Sequence, residues 1–362
     1  MEKKDVIIII SAFLVITLIC AGVVCGALYV KNKQSNEKPN YEEDVLSVTD
    51  DNHGEPEEEE PPVEVVEEEP YTGPKIFSGN SREIAVMIDN ETAVKSHAGL
   101  NDAYMLYEFI IEGGESRIMA FFKGTNPEKI GPVRSARHYF LDYALEHDAI
   151  FVHFGWSPKA QSDISTLKIN NINGIYDDFY WREAPKSSYH NAFTSMANLL
   201  KYAGYKKYRT TSEQGPLVEY YQKDTELNGG NKANEVKIKY SNLQSTRYVY
   251  DEESKTYLRY KRDYEHRDRF TNEQFYAKNI IAIFVRDELL ADPEDKGRRE
   301  LYNIGSGNGY YITNGKYIEI KWTKTTRAGK TIYTDLEGNE IKLNDGITWI
   351  QIVPITGSIT IN

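Results

Sequence analysis

The longest apolar stretch of the chain lies near its start, where residues 6–30 carry no charged side chain. At a rise of about 1.5 Å per residue, roughly 20 residues cross the hydrocarbon layer of a membrane, so this stretch is long enough to span it. We therefore predict an uncleaved transmembrane anchor over 1–35. A cleaved signal peptide is the alternative, because small residues between positions 12 and 26 offer a cleavage site.

The next segment, 36–74, is polar and strongly acidic. It contains 15 acidic residues and one basic residue, Lys38, so it accounts for the whole negative balance of a chain with formal net charge −12. Such a segment cannot bury enough apolar surface to fold, and its like charges extend it. We expect a disordered acidic linker that holds the rest of the chain away from the membrane; a calcium-binding or partner-binding tail is the alternative.

Between 75 and 221, apolar runs of strand length alternate with segments whose apolar positions recur at helical spacing. Strands are predicted at 83–88, 107–112, 115–122 and 149–153, and helices capped by Ser135, Ser157 and Thr194. Gly113 and Gly114 supply a tight turn between two of the strands. The alternation predicts an α/β domain with a mixed sheet.

The last part of the chain has the pattern of strands alone. A Gly/Asn-rich linker is predicted at 222–236, and the β domain that follows at 237–362 contains the strongest hairpin signal, two strands around Asn314-Gly315. We expect an antiparallel β barrel or sandwich there. The fold class of the whole chain is then α+β, with a membrane helix and an acidic stalk before two folded domains.

Charge and cysteine content limit the classes of function. Outside 36–74 the chain is close to neutral, so no nucleic-acid partner is expected. Both cysteines, Cys20 and Cys25, lie in 6–30, so the folded part has no disulfide or thiol chemistry. A cysteine-free body after a polyacidic stretch suits an exported chain, and we predict a single-pass protein of the cell membrane with its body outside the cytoplasm.

Several stretches resemble the YerB family, a set of bacterial exported lipoproteins that carry a domain of unknown function. The stretches that carry the resemblance are IAVMIDN (84–90), YEFIIEGGESRIMAFF (107–122), EKIGPVRSAR (128–137), DAIFVHFGWSP (148–158), HNAFTS (190–195), GYYITNGKYIEIKW (309–322) and LNDGITWIQIVP (343–354). The resemblance covers nearly everything after Arg82. It implies an envelope location and a two-domain body, with no established reaction.

The chain departs from this family at its anchor. Family members commonly carry a lipid-modified cysteine, and the lipoprotein signal needs a small residue just before it. Here Ile19 precedes Cys20 and Val24 precedes Cys25. We therefore expect anchorage through the helix at 6–30 instead of a lipid.

The first candidate site is a predicted anion site around Ser135. A Gly-Pro turn that enters a helix at Ser135 would leave free N–H groups at the positive end of the helix, with Arg134 and Arg137 on either side. Arginine presents a planar fork that suits a carboxylate or phosphate. The alternative is that the arginines pair with Asp142, Glu112 or another internal carboxylate. The remaining ligand-binding candidates are Asn90, Arg117 and Asn191.

The second candidate set could perform acid–base chemistry. Asp89 and His153 end apolar strands and could converge at one sheet edge if those strands are parallel. His190 precedes a helix, and Glu112 lies at the Gly-Gly turn, where it could also pair across the strands with Arg117. None of the close His or Cys spacings of metal sites occurs, so no metal or cofactor is predicted. A hydrogen-bonded structural histidine is the alternative for His153.

The leading functional hypothesis is a membrane-anchored extracytoplasmic protein of the bacterial envelope that binds an anionic ligand, such as a wall polymer, or an envelope protein. The alternative is an envelope hydrolase that uses the second candidate set, with or without a metal. It requires those side chains to share one cleft. A third interpretation makes both domains a scaffold for another envelope protein.

Overall fold

The computed structural model of the chain describes residues 80–178, 180–183, 190–291, 294 and 296–362, which belong to one compact unit. The anchor predicted at 6–30 and the linker predicted at 36–74 lie outside these residues. Among the helices of the described part, none is long and apolar enough to cross a membrane.

The described residues contain few helices and many strands. The α-helices are α1 (Leu141–Glu146), α2 (Pro158–Thr166) and α3 (Met196–Tyr205), and short 3-10 helices lie at Leu100–Asp102, Glu112–Gly114 and His138–Phe140. The strands are β1 (Ile84–Asp89), β2 (Met105–Ile110), β3 (Ser116–Phe122), β4 (Ile150–His153), β5 (Asn171–Asn173), β6 (Trp181–Arg182), β7 (Ala192–Phe193), β8 (Asn231–Lys232), β9 (Glu235–Lys239), β10 (Ser245–Asp251), β11 (Thr256–Lys261), β12 (Tyr264–Glu265), β13 (Tyr276–Ala277), β14 (Asn279–Val285), β15 (Asp287–Leu289), β16 (Arg299–Leu301), β17 (Gly305–Thr313), β18 (Lys316–Lys324), β19 (Ile332–Thr334), β20 (Thr348–Pro354) and β21 (Ser358–Ile361).

Two sheets organise the fold. The larger one has eleven strands in the order β19-β18-β17-β14-β20-β2-β3-β1-β4-β5, with β8 beside β18. The second is antiparallel and has six strands in the order β12-β11-β10-β9-β21, with β13 beside β11. The predicted mixture of a few helices with many strands is confirmed.

Strand β20 lies in the middle of the large sheet and joins the two halves of the chain. Its Trp349 stands opposite Leu106 of β2 and Ile280 of β14, and both pairings are parallel. All of β20 is buried, as expected for an apolar strand that is covered on both faces. The segments 75–221 and 237–362 therefore contribute strands to one sheet. The prediction that the second segment is purely antiparallel is wrong at β20, because its neighbours are strands that run in the same direction.

The hairpin turn predicted at Asn314-Gly315 and the cap predicted at Ser157 are confirmed, whereas the two-residue turn predicted at Gly113-Gly114 is a longer connection through the 3-10 helix Glu112–Gly114. Strands β17 and β18 pair up to Thr313 and Lys316 around Asn314 (φ 48°) and Gly315 (φ 71°), the two positive φ angles of a tight hairpin. Ser157 caps α2 by accepting a hydrogen bond from the N–H of Ala160. The cap of α3 is Ser195, one residue after the predicted Thr194.

The helix predicted to start at Ser135 is absent from that position. The segment from Gly131 runs extended beside β1, where the N–H of Arg134 donates to the Met87 carbonyl and the N–H of Ala136 donates to the Gly155 carbonyl. The first helical turn is His138–Phe140. The prediction of a helix N-terminus at Ser135 is wrong because the backbone there bonds to β1 and to the segment that follows β4 instead of to itself.

Candidate functional site

Three arginines converge beside the carboxyl end of β1. Arg117 stands on β3 directly opposite Asp89, and Arg134 and Arg137 belong to the segment that runs from residue 131 to the helical turn. The extended backbone of this segment is held to β1 and to Gly155, and its Arg134 reaches Asp89. We call these three arginines and the groups that contact them the arginine cluster: Asp89, Glu91, Glu112, Arg117, Arg134, Ser135, Arg137 and His190.

Asp89 is the buried anion of the arginine cluster. Its Oδ2 atom lies 2.6 Å from Nδ1 of His190 and 2.9 Å from Nε of Arg134. Burial raises the pKa of the Asp89 carboxyl, but the hydrogen bond from His190 and the charges of Arg117 and Arg134 outweigh burial and lower its pKa to about 2. The same hydrogen bond raises the pKa of His190 above its ordinary value. Asp89 and His190 therefore form a direct ion pair.

Glu91 is the solvent-facing anion of the arginine cluster, with 24% of its side chain exposed. Its Oε1 atom lies 3.1 Å from Nη2 of Arg134 and 3.7 Å from Nη2 of Arg117, and its Oε2 atom lies 4.0 Å from Nε2 of His190. The ammonium group of Lys261 on β11 donates hydrogen bonds to the Glu91 carbonyl, at 2.7 Å, and to the Val94 carbonyl. A strand of the second sheet thus fixes the turn that holds this carboxylate.

Arg137 is paired to Glu112, which confirms the alternative in which this arginine meets an internal carboxylate. Its Nε and Nη2 atoms donate to the two oxygens of Glu112 at 2.5 and 2.9 Å. Burial raises the pKa of Glu112, but the hydrogen bond and charge of Arg137 lower it overall. The forked pair leaves Arg137 little capacity for a ligand. Asp142, the other proposed partner, is bound to Arg327 instead.

Arg117 is buried and contacts Ser135. Its Nη1 atom donates to the Ser135 carbonyl at 2.7 Å and to Oγ at 3.3 Å, while Arg137 donates to the same Oγ at 3.2 Å. Burial and repulsion from Arg137 lower the pKa of Arg117 to about 10. The Ser135 hydroxyl therefore contacts two guanidinium groups. Glu112, which was predicted to pair across the strands with Arg117, pairs with Arg137 instead.

Three predicted site residues form hydrogen bonds with groups outside the arginine cluster. His153 is buried, with Nδ1 at 2.8 Å from the Gly155 carbonyl, and burial lowers the pKa of this histidine to about 4. Asn90 is buried and donates to Glu108, and Asn191 donates to the Glu183 carbonyl. These contacts are those of structural residues.

The arginine cluster contains one group with the composition of a metal site. Asp89, Glu91 and His190 offer ligand atoms that lie within 4.8 Å of one another. A cation bound there would have to displace Arg134 from both carboxylates. A donor set already neutralised by guanidinium groups fits an ion-pair network better than a divalent metal.

A second feature was missed by the sequence analysis. A groove with a volume of about 580 Å³, here called the aromatic groove, is lined by Tyr176, Asp178, Tyr180, Trp181, Asn198, Lys201, Tyr202 and Tyr205. The last four stand at i, i+3, i+4 and i+7 and share one face of α3. The signal in the sequence is this spacing together with the aromatic residues at 176–181, which the start and end signals of the helix do not reveal.

The chain matches two family models along most of its length. Residues 71–209 match the N-terminal domain of a protein of unknown function (DUF3048), and residues 236–350 match the corresponding C-terminal domain. The chain is 30% identical to the predicted lipoprotein YerB of Bacillus subtilis (strain 168) over 278 residues, which cover 75% of this chain and 81% of YerB. The crystal structure of YerB protein from Bacillus subtilis is similar, with a TM-score of 0.70 and 29% identity over 79% of this chain and 95% of the crystallised chain.

Proposed function

Because the chain belongs to the YerB family, we propose that it is a membrane-anchored protein of the bacterial envelope that binds an anionic ligand at the arginine cluster. The ligand class is a carboxylate or a phosphate, carried by a wall polymer or by an envelope protein. The body, with proposed domains 75–221 and 237–362 on either side of the segment 222–236, lies outside the cytoplasm.

The anchor proposed for this chain is the uncharged segment 6–30, followed by the acidic spacer 36–74. The description of YerB as a predicted lipoprotein supports a tether at the amino end. A small residue does not precede Cys20 or Cys25, which favours a helix over a lipid in this chain. Tether and spacer together would hold the body at the outer surface of the membrane.

The observation that carries the binding proposal is the position of Glu91. Its partly exposed carboxylate is held by Arg134 and faces Arg117 and His190. An incoming carboxylate or phosphate would meet the same donors by replacing Glu91, whereas the buried Asp89 would keep Arg134 in place. Glu91 thus acts as an internal competitor for the ligand.

Titration of the full-length chain in detergent tests this function. The probes are inorganic phosphate and a glycerol phosphate oligomer at constant ionic strength. We expect binding that weakens about tenfold in Arg134→Gln, since a charge-assisted pair is lost. Arg134→Lys keeps the charge without the planar fork, so its affinity for the probes should lie between the affinities of Arg134→Gln and of the unmodified chain.

The matched control is Arg286→Gln, because Arg286 also pairs with a glutamate, in an exposed pair with Glu288 that includes no member of the arginine cluster. It should bind the probes as the unmodified chain does. Equal binding by Arg134→Gln and the unmodified chain would remove the arginine cluster from the proposal.

The hydrolase alternative lacks a supporting observation. Asp89 and His190 are in contact, but the Glu112 carboxylate pairs with Arg137, and the His153 ring contacts Gly155 and Asn171. The four groups are not joined into one acid–base set by any contact of the described residues.

A further inference from the structure

The aromatic groove is built on the side of α3 that faces away from the core. Met196, Leu199 and Ala203 are the buried residues of this helix. Lys201 and Tyr205 lie on the other side and are exposed, with 79% of Tyr205 accessible. The helix therefore packs by one face and presents a second face, with aromatic and hydrogen-bonding groups, to solvent.

Interactions within the protein fix the orientation of the rings around the groove. The Tyr180 hydroxyl donates to the His153 carbonyl at 3.0 Å, the Tyr202 hydroxyl to Asp177 at 2.7 Å, and the Trp181 indole to Glu183 at 2.8 Å. The polar edges of these rings are thus bound to the protein. Their apolar faces are what the groove offers to a ligand.

A glycine makes room for one of these rings. A Cβ atom at Gly174 would lie 2.4 Å from the Tyr180 ring and 2.3 Å from the Phe154 ring. The Tyr180 ring can occupy its position only because residue 174 has no side chain. The wall of the groove is therefore part of the packed structure.

We propose that the aromatic groove binds an oligosaccharide. A sugar ring presents C–H groups on its faces and hydroxyl groups at its edge, which matches rigid aromatic faces bordered by Asp178 and Lys201. An apolar helix would need a continuous apolar surface, which these two charged residues interrupt. The highly exposed rings of Tyr176 and Tyr205 would stack on successive sugars.

This site is independent of the arginine cluster, because none of the lining residues belongs to that cluster. An uncharged sugar chain is sufficient for the groove, whereas the arginine cluster requires an anion. The two proposals can therefore succeed or fail separately.

The test is isothermal titration of the full-length chain with a pentamer of N-acetylglucosamine and with cellopentaose, in a detergent without a sugar head group. We expect binding of at least one oligosaccharide, weakened about tenfold by Tyr205→Ala or Tyr176→Ala through loss of a stacked ring. Both side chains are largely exposed, so the variants should fold, which thermal unfolding checks.

The matched control is Tyr302→Ala, which removes a partly exposed tyrosine that does not line the groove. It should bind as the unmodified chain does, and so should Arg134→Gln. The proposal is overturned if neither oligosaccharide binds, if both groove variants bind normally, or if Tyr302→Ala weakens binding as much as they do.

Discussion

The carboxylate of Glu108 and the guanidinium of Arg259 lie 2.7 Å apart, and neither side chain is exposed to solvent. Glu108 stands on β2 and Arg259 on β11, so the pair joins the two halves of the chain. Arg259 also donates to His266, which contacts His97, whose second ring nitrogen contacts the Asp89 carbonyl. Buried polar contacts thus connect the second sheet to the arginine cluster.

Breaking this pair should destabilise the whole body. Glu108→Gln leaves the Arg259 charge buried without its counterion, and we expect the free energy of unfolding to fall by about 3–5 kcal/mol. Urea unfolding followed by circular dichroism measures the change. Glu288→Gln breaks an exposed pair with Arg286 and should change stability by less than about 1 kcal/mol. A similarly small effect of Glu108→Gln would show that the halves are not joined in this way.

The pairing of Asp89 with His190 should be visible in the titration of the histidine. Asp89→Asn removes the hydrogen bond that raises the pKa of His190, so this pKa should fall, as followed by NMR of the imidazole. His153, whose pKa burial lowers to about 4, provides the internal control and should stay neutral in both proteins above about pH 5. An unchanged His190 pKa in Asp89→Asn would exclude the pair.

The pair of Asp89 and His190 makes the free energy of unfolding depend on pH in a defined way. The fold raises the pKa of His190, so its contribution is full below the ordinary histidine pKa and is lost as pH rises through the raised value. The fold lowers the pKa of Asp89, so its contribution is full above the ordinary carboxyl pKa and is lost as pH falls toward about 2. Denaturation series in acid and near neutrality should show both losses, and Asp89→Asn should reduce both, with part of the acid loss kept by Glu112, whose pKa the fold also lowers.

Gly174→Ala tests the packing of the aromatic groove. The added Cβ atom would overlap the rings of Phe154 and Tyr180, and we expect a loss of about 1–3 kcal/mol in unfolding free energy together with weaker oligosaccharide binding. Gly204→Ala is the matched control, because that position lies in α3 with nothing within 4 Å. Alanine there should stabilise by up to about 1 kcal/mol. Equal stabilities of the two variants would contradict the packing described here.

Local sequence patterns predicted the parts of the fold that depend on neighbouring residues. The hairpin at Asn314-Gly315 was predictable because both residues accept positive φ, and Ser157 was predictable as a cap because its hydroxyl reaches an N–H three residues ahead. The parallel pairing of Trp349 with β2 and β14 was not predictable, because it depends on strands that lie far away in the sequence. Local patterns do not specify such partners.

The residues of the candidate site could likewise be predicted from the sequence only in part. Asp89 and His153 were expected at one sheet edge because each ends an apolar strand. Asp89 instead contacts His190, a pairing that depends on tertiary structure. Ser135 was misassigned because its helical pattern competes with backbone bonds to β1 and Gly155, which only the tertiary structure supplies. Glu91 was overlooked because its importance comes from three cationic side chains contributed by separate parts of the chain.

The most direct test of anion binding at the arginine cluster is the affinity of Glu91→Gln for a glycerol phosphate oligomer, measured on the full-length chain at about pH 6.5. The matched control is Glu300→Gln, because Glu300 is 25% exposed and also pairs with a histidine. Removal of the internal competitor should tighten binding about tenfold in Glu91→Gln and leave it unchanged in Glu300→Gln. Binding by Glu91→Gln that is equal to or weaker than that of the unmodified chain would contradict the account.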